Sequence, residues 1–268
     1  MSASAEKESI LSVQNLGITF GGLKAVSGFH AEIRAGELVG LIGPNGAGKT
    51  TVFNLLTGVY QPTEGAFFLC GNRMNGKPTY QIVRAGIART FQNIRLFKQM
   101  TVLENVTAAF TKDVKYSLGQ SILRTSSFMK EEETLKTLAL DLLALFGMED
   151  KAAYTASNLP YGQQRKLEIA RALATGMKLL LLDEPAAGMN PTETAELLSC
   201  INLIRERFNI AILLIEHDMS LVMNICERII VIDYGQMIAE GSPSEIAHDE
   251  RVIAAYLGAD DEEAEDNA

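Results

Sequence analysis

Cysteines and long apolar runs are both scarce in this sequence, and their scarcity excludes several classes of protein. The 268 residues include only three cysteines, Cys70, Cys200 and Cys226. Their wide spacing matches neither a zinc motif nor a disulfide framework, so we interpret them as structural residues in a reducing compartment. Apolar runs such as 210–215 are far shorter than the about 20 residues that cross a bilayer. We therefore expect no membrane span, and the polar residues 1–9 predict no signal peptide.

Basic residues are also in the minority. The chain has 24 Lys and Arg against 33 Asp and Glu, which gives a net charge of −9. Six acidic residues lie between positions 260 and 266, and without them the net charge is only −3. A body without a basic excess argues against general nucleic-acid binding. We predict that residues 259–268 form a disordered, solubilising acidic tail.

Apolar strands alternate with amphipathic helices along most of the chain. The predicted strands are 9–20, 38–42, 65–70, 179–182 and 210–215, followed by a hairpin of 229–232 and 237–239. The predicted helices are 50–56, 130–146, 163–174 and 192–208. In the second helix, Leu135, Leu138, Leu142 and Leu145 share one face. Buried strands in this alternation predict an α/β fold with a mostly parallel sheet.

A glycine-rich loop follows the strand 38–42 and precedes a helix, which is the setting of a phosphate-binding loop. The loop consists of Gly43, Pro44, Asn45, Gly46, Ala47, Gly48, Lys49 and Thr50, with Thr51 next to it. Glycines let successive backbone N–H groups turn toward phosphate oxygens at a helix N-terminus. Lys49 is then expected to reach the β- and γ-phosphates of ATP, and the Thr50 hydroxyl to bind Mg²⁺.

Two later strands end in residues suited to phosphate chemistry. Asp183 and Glu184 follow the strand 179–182, and ligands bind at the carboxyl ends of such strands. We expect Asp183 to bind Mg²⁺, and Glu184, held extended by Pro185, to polarise the attacking water. His217 follows the strand 210–215, where an imidazole can hydrogen-bond the γ-phosphate.

The segment Leu159-Pro160-Tyr161-Gly162-Gln163 opens a helix. A glycine at a helix start exposes N–H groups that can bind an anion. Without the other motifs, however, an ordinary helix cap is the better interpretation of this segment.

In this order, the segments resemble the Walker A, signature, Walker B and switch-histidine motifs of ABC transporter ATPases, from about Leu11 to Gly258. The resemblance implies one domain, 1–258, with a P-loop NTPase core. Residues 1–92 and 166–241 would form this core and an N-terminal antiparallel β-subdomain, and 93–165 an inserted helical subdomain. The segment 242–258 would form C-terminal helices.

The resemblance also assigns residues that spacing alone does not. It implies that Phe20 stacks on adenine, and that Gln92 contacts Mg²⁺ and water and hinges the helical subdomain. It further implies that Tyr161, Gly162 and Gln163 close over ATP held by a second, head-to-tail cassette. The family's usual signature is Leu-Ser-Gly-Gly-Gln. Pro160, which replaces the serine, has neither a hydroxyl nor an N–H to donate.

Four segments resemble the larger ATPase subunit of bacterial branched-chain amino-acid importers: 89–97 with 100–102, 161–171, 183–191 and 253–258. The polar stretch 111–127 resembles an insertion of that subunit. The resemblance implies two membrane permeases, a second ATPase subunit and an external binding protein as partners, with no nucleic acid. It places the chain at the cytoplasmic face of the bacterial inner membrane as a peripheral protein.

Three alternatives remain at this stage. The ATPase of the lipopolysaccharide exporter shares many of these segments, but its relatives usually lack the insertion. Importers of urea or amides are harder to exclude. The third alternative is a soluble ABC ATPase of translation, DNA repair or cluster assembly. Those of translation have two cassettes and those of DNA repair have long coiled coils, and this sequence has neither.

Overall fold

A computed structural model of the chain describes residues 8–113 and 117–257. Packing divides it into two compact units. The core unit consists of the described residues up to Arg89, of Lys178–Pro185 and of the described residues from Leu203 onward. The helical unit consists of Thr90–Met177 and Ala186–Asn202. Within the described ranges, no helix combines the length and the apolar character needed to cross a bilayer. The predicted acidic tail, 259–268, lies outside the described residues.

All the strands of the described ranges belong to the core unit and form two sheets. In chain order they are β1 Ser9–Phe20, β2 Leu23–Arg34, β3 Leu38–Ile42, β4 Glu64–Leu69, β5 Asn72–Arg73, β6 Ile87–Arg89, β7 Leu179–Asp183, β8 Ala211–Ile215, β9 Arg228–Asp233 and β10 Gln236–Gly241. An antiparallel sheet has the order β2-β1-β4-β5, and the second sheet has the order β10-β9-β3-β8-β7-β6. In the second sheet only the β9–β10 pair is antiparallel.

The helices of the described ranges are α1 Lys49–Leu56, α2 Thr79–Ala85, α3 Val102–Thr107, α4 Leu118–Ile122, α5 Ser126–Leu145, α6 Tyr161–Ala174, α7 Pro191–Phe208, α8 Met219–Ile225 and α9 Pro243–Ile246. Short 3-10 turns occupy Ala108–Asp113, Glu149–Lys151 and Ala156–Asn158, and residues 250–257 are helical as well. The predicted insertion 111–127 therefore contains α4 and the first residues of α5, while 114–116 are not described.

Strands β3, β7 and β8 are apolar over nearly their whole length because both faces of the second sheet are covered. Every residue of β3, β7 and β8 is buried, as expected for parallel strands that are covered on both faces. One cluster of buried side chains joins both sheets with α1, and Phe29, Phe53 and Phe67 are among its largest members. The predicted α/β class, with a mostly parallel sheet and a separate antiparallel sheet, is confirmed. The predicted subdomain boundaries at 93 and 165 stay a prediction.

The buried face of α5 differs from the predicted leucine face. The fully buried residues of this helix are Ala139 and Leu143, whereas Leu138 is 44% exposed. Segment 135–145 is rich in leucine, so two neighbouring faces satisfy the helical period equally well. Packing of α5 on α3 and α6 selects the face that carries the small Ala139.

Candidate functional site

Three neighbouring strands of the parallel sheet end beside one another, and the candidate residues of the core unit follow them. The sheet order places β3, β8 and β7 side by side, all running in the same direction. The glycine loop follows β3, Glu184 follows β7, and Glu216 and His217 follow β8. Carboxyl ends of adjacent parallel strands are where α/β proteins bind ligands.

The glycine loop takes a shape that requires glycine at its first position. Gly43 has φ 153°, and a Cβ added there would lie 1.9 Å from the carbonyl oxygen of Ile232. Gly48 has φ 104° and directly precedes α1, which begins at Lys49. The loop is therefore pressed against the end of β9 and leads straight into a helix N-terminus. This geometry fits the phosphates of a nucleotide, because such loops present backbone N–H groups to anions.

Lys49 lies inside the curve of the loop. Its Nζ donates hydrogen bonds to the carbonyl oxygens of Gly43 at 2.6 Å and Pro44 at 2.7 Å. Burial lowers the pKa of the Lys49 ammonium, while the carboxylates of Glu184 and Asp183 act in the opposite direction. The ammonium group thus lies within electrostatic reach of both predicted acidic residues.

Asp183 is held in a buried ion pair that the sequence did not predict. Arg89 at the end of β6 donates from Nη2 to Asp183 Oδ2 at 2.6 Å and from Nη1 to Asn54 Oδ1 at 2.8 Å. The Arg89 guanidinium also lies 5.3 Å from the centre of the Phe53 ring. The only signal in the sequence is an arginine that ends a short apolar stretch, Ile87–Arg89, with nothing to indicate its partner.

The predicted extended backbone at Glu184 is wrong. Glu184 has φ 46°, in the left-handed region, and its N–H donates to the Ile215 carbonyl oxygen at 2.9 Å. That bond continues the β7–β8 ladder by one residue, and it outweighs the usual preference of a residue before proline. Left-handed backbone at a residue other than glycine costs about 1–3 kcal/mol and is concentrated at functional sites.

His217 lies between two carboxylates at long range. Its Nδ1 is 3.9 Å from Glu184 Oε2 and 3.8 Å from Glu216 Oε2. The His217 side chain is 65% exposed, whereas the Glu216 side chain is 1% exposed. The imidazole is therefore available to a ligand while remaining next to Glu184.

Phe20 ends β1 and is partly exposed. Its ring stands edge-on to the Tyr60 ring, with centroids 5.1 Å apart and an interplanar angle of 73°. Tyr60 is 37% exposed and was not predicted as a site residue. The pair offers an aromatic surface, and the adenine role of Phe20 stays a prediction.

The remaining candidates lie in the helical unit. Tyr161 is the first residue of α6, Gly162 and Gln163 follow it, and Pro160 makes no side-chain cap. A Cβ added at Gly162 would lie 3.2 Å from Glu193 Oε1, so the glycine allows close packing on the start of α7. Gln92 belongs to the same unit, and its carbonyl oxygen accepts a hydrogen bond from Arg165. The roles assigned to all four residues stay predictions.

Replacing Arg89 by methionine is expected to lower the free energy of unfolding by about 3 kcal/mol, because it leaves the Asp183 charge buried without its cation. The Arg89 and Asp183 side chains are 6% and 10% exposed. Urea unfolding followed by circular dichroism measures the change. In the matched control, Arg251→Met removes an exposed ion pair with Asp249 and should leave the urea midpoint unchanged. Equal midpoints for the two variants would contradict the structural role of Arg89.

Comparison with protein families gives two matches. The family model described as ABC transporter matches residues 26–187. A model described as branched-chain amino acid ATP-binding cassette transporter matches residues 236–262.

Curated relatives match over nearly their whole length. The high-affinity branched-chain amino acid transport ATP-binding protein LivG of Escherichia coli is 49% identical over 249 residues, which cover 93% of this chain and 98% of LivG. BraF of Pseudomonas aeruginosa, which carries the same description, is 46% identical with the same coverage. The lipopolysaccharide export system ATP-binding protein LptB of Haemophilus influenzae is 32% identical, covering 93% of this chain and 98% of LptB.

Solved structures of ATP-binding cassettes are similar to this chain as well. The crystal structure of the ADP conformation of an ATP-binding cassette of an ABC transporter matches with a TM-score of 0.80 and 31% identity, covering 93% of this chain and 99% of that one. A nucleotide-free ATP-binding cassette matches with a TM-score of 0.79 and 30% identity, covering 92% of this chain and 98% of the other. With its family match, its relatives and its glycine-loop site, the chain belongs to the ABC transporter family as one of its nucleotide-binding ATPase cassettes.

Proposed function

We propose that this chain hydrolyses ATP to drive the import of branched-chain amino acids through separate membrane permeases. The observation that carries the substrate class is the 49% identity to LivG over almost the whole of both chains. The separate match of residues 236–262 to the branched-chain amino acid cassette model supports the same class. The exporter alternative is weaker, because the identity to LptB is 32% over the same share of the chain.

In the proposed reaction the core unit binds ATP through the glycine loop, 43–50, together with Thr51. Lys49 would exchange its bonds to the Gly43 and Pro44 carbonyl oxygens for bonds to the β- and γ-phosphates. Phe20, with Tyr60 edge-on beside it, would present its ring to adenine. Each of these contacts uses a group that lies at a strand end, in a loop or in the first turn of α1 in this unit.

Thr50 and Asp183 of the core unit would hold Mg²⁺, since hydroxyl and carboxylate oxygens are ligands that this ion prefers. For Gln92, a contact with Mg²⁺ stays what the family resemblance implies. Bound there, Mg²⁺ would neutralise phosphate charge and orient the γ-phosphate for attack. Arg89 fixes the Asp183 carboxylate through its Oδ2 atom, so that the carboxylate cannot rotate freely.

Glu184 would accept a hydrogen bond from the attacking water, and His217 would donate one to a γ-phosphate oxygen. The 3.9 Å between the His217 Nδ1 and Glu184 Oε2 atoms lets the two groups face one phosphate. Tyr161, Gly162 and Gln163 would close over ATP bound by a second cassette, so the working unit would contain two ATPase cassettes. We propose a different, smaller ATPase as that second cassette.

The proposed partners are two integral membrane permeases, with an external binding protein that delivers the substrate to them. A chain bound to permeases and using ATP would lie at the cytoplasmic face of the bacterial inner membrane. No nucleic acid takes part in this proposal.

The test is amino-acid uptake in the native host. Cells lacking this chain are expected to lose most uptake of radiolabelled leucine, isoleucine and valine supplied at low concentration. The wild-type chain should restore the uptake, whereas Glu184→Gln produced at the same level should not. Uptake of radiolabelled proline serves as the control and should not change.

Two results would contradict the proposal. Unchanged uptake of all three amino acids, with lost uptake of urea or amides, would assign the chain to a related importer. An outer-membrane defect with normal uptake would assign it to lipopolysaccharide export.

A further inference from the structure

One face of α6 holds the backbone of the segment 91–97, which we call the clamped segment. The side chains that reach it from α6 are Arg165, Glu168 and Arg171, and Asn105 reaches it from α3. The three α6 residues are spaced by three, so they project from the same side of the helix. All of these residues belong to the helical unit.

Arg165 is the centre of this arrangement. Its side chain is fully buried, at 0% exposure. Its Nη1 donates to the Phe91 carbonyl oxygen at 2.6 Å and to Glu168 Oε2 at 2.9 Å. Its Nη2 donates to the Gln92 carbonyl oxygen at 2.8 Å and to the Tyr161 hydroxyl at 3.1 Å. One guanidinium group thus joins two consecutive carbonyl groups to the first residue of α6.

The rest of the clamped segment is held in the same way, through its backbone. Glu168 Oε1 accepts from the Arg95 N–H at 3.1 Å, and Arg171 donates to the Arg95 carbonyl oxygen. Asn105 is fully buried and binds both the N–H of Phe97, at 2.9 Å, and its carbonyl oxygen, at 3.0 Å. Because the bonds go to backbone atoms, they set the course of the segment.

The arrangement connects two parts of the proposed ATPase site. Gln92 lies in the clamped segment, and Tyr161 begins the segment that we propose closes over the second nucleotide. A buried arginine offers five donors in a fixed plane, which a lysine cannot reproduce. Tyr161 replaces a glycine of the family's usual signature, and here its hydroxyl supplies the oxygen that Arg165 binds at this end.

We propose that Arg165 is a positioning residue that makes the Gln92 backbone and the start of α6 move as one body. The backbone of Gln92 then cannot shift without moving the start of α6 at Tyr161. This inference rests on the proposed ATPase function of the chain. Arg165 itself touches neither nucleotide nor metal in the proposal, and it acts through the two segments that it joins.

Arg165→Lys tests the inference, since it keeps a cation beside Glu168 but cannot reach both carbonyl oxygens. We expect kcat for ATP to fall about tenfold in the purified full-length chain, while KM and the affinity for a fluorescent ATP analogue stay within twofold. Tyr161→Phe removes only the hydroxyl, and its kcat should fall about threefold at unchanged KM. Lys166→Gln is the control on the same helix. Its ammonium pairs with Glu196 instead, and its kcat should equal that of the parent.

Hydrogen exchange provides a second measurement that does not need turnover. Amides of the clamped segment should exchange faster in Arg165→Lys, whereas those of 43–50 should not change. Parental kcat in a folded Arg165→Lys chain overturns the inference, as does a fall in kcat matched by lost ATP affinity. If Arg165→Lys does not fold, parental kcat in Tyr161→Phe overturns it. If the parent chain shows no turnover without its second cassette, hydrogen exchange alone decides whether Arg165 holds the segment, and the uptake experiment above decides the proposed function separately.

Discussion

Glu184→Gln is expected to lower ATP turnover by at least about 100-fold while ATP binding persists. A positioned general base contributes about 10²–10⁴-fold to a rate, and the amide cannot accept a proton from water. Glutamine has the same shape as glutamate, so the left-handed backbone at φ 46° and the N–H bond to Ile215 can be kept. The change also removes one negative charge near Lys49, which favours retention of the phosphates. Turnover is measured as released phosphate, and binding with a fluorescent ATP analogue.

The same variant should accumulate an ATP-dependent pair of cassettes, because closure no longer ends in hydrolysis. Size-exclusion chromatography with and without ATP detects this pair. Glu227→Gln is a suitable control, since it removes a carboxylate from a surface ion pair with Arg205 in the same unit. Near-parental turnover by Glu184→Gln would show that Glu184 is not the base.

The sequence predicts this fold best where a strand is a continuous run of apolar residues. Strands β3, β7 and β8 were predicted within one residue at each end, because strands buried on both faces must be apolar throughout. The carboxyl ends of these strands then bring the glycine loop, Glu184 and His217 to one edge. Parallel pairing with neighbouring strands is enough to make that prediction, and no side-chain detail is needed.

The buried face of α5 was predicted less well, because it depends on packing rather than on pattern. Two sets of residues are compatible with an apolar stripe along this helix. One is the leucines at 135, 138, 142 and 145, and the other is residues 139, 143 and 146. Only contact with α3 and α6 distinguishes them, and that contact buries Ala139 and Leu143. The left-handed backbone of Glu184 is a similar case, since it is set by a bond to the neighbouring strand.

Two arginines illustrate what the sequence could not predict at the candidate site. Arg89 and Asp183 are 94 residues apart in the chain, and Arg165 and Phe91 are 74 residues apart. An arginine in a sequence is most often an exposed residue, so its burial becomes evident only when its partners are placed around it. Both arginines hold other groups of the proposed site in place.

Lys49→Ala is expected to weaken ATP binding by about 30- to 150-fold. The proposed contact of the ammonium with phosphate is a charge-assisted hydrogen bond of about 2–3 kcal/mol, which corresponds to this factor. The fold should be nearly as stable as before, because burial lowers the pKa of Lys49 and folding therefore disfavours its charged form. Loss of the bonds to Gly43 and Pro44 opposes this gain, since their carbonyl oxygens then need water as a partner.

Isothermal titration with ATP and Mg²⁺ measures the affinity of this variant, and thermal unfolding without nucleotide measures its stability. Lys24→Ala is the matched control, since Lys24 pairs with Glu64 on an exposed surface of the same unit, and its ATP affinity should equal that of the parent. Added ATP should raise the melting temperature of the parent and of Lys24→Ala, but hardly that of Lys49→Ala, because stabilisation by a ligand follows its affinity. Equal ATP affinity in the parent and in Lys49→Ala would remove the phosphate-binding role from Lys49, and with it the central contact of the proposed site.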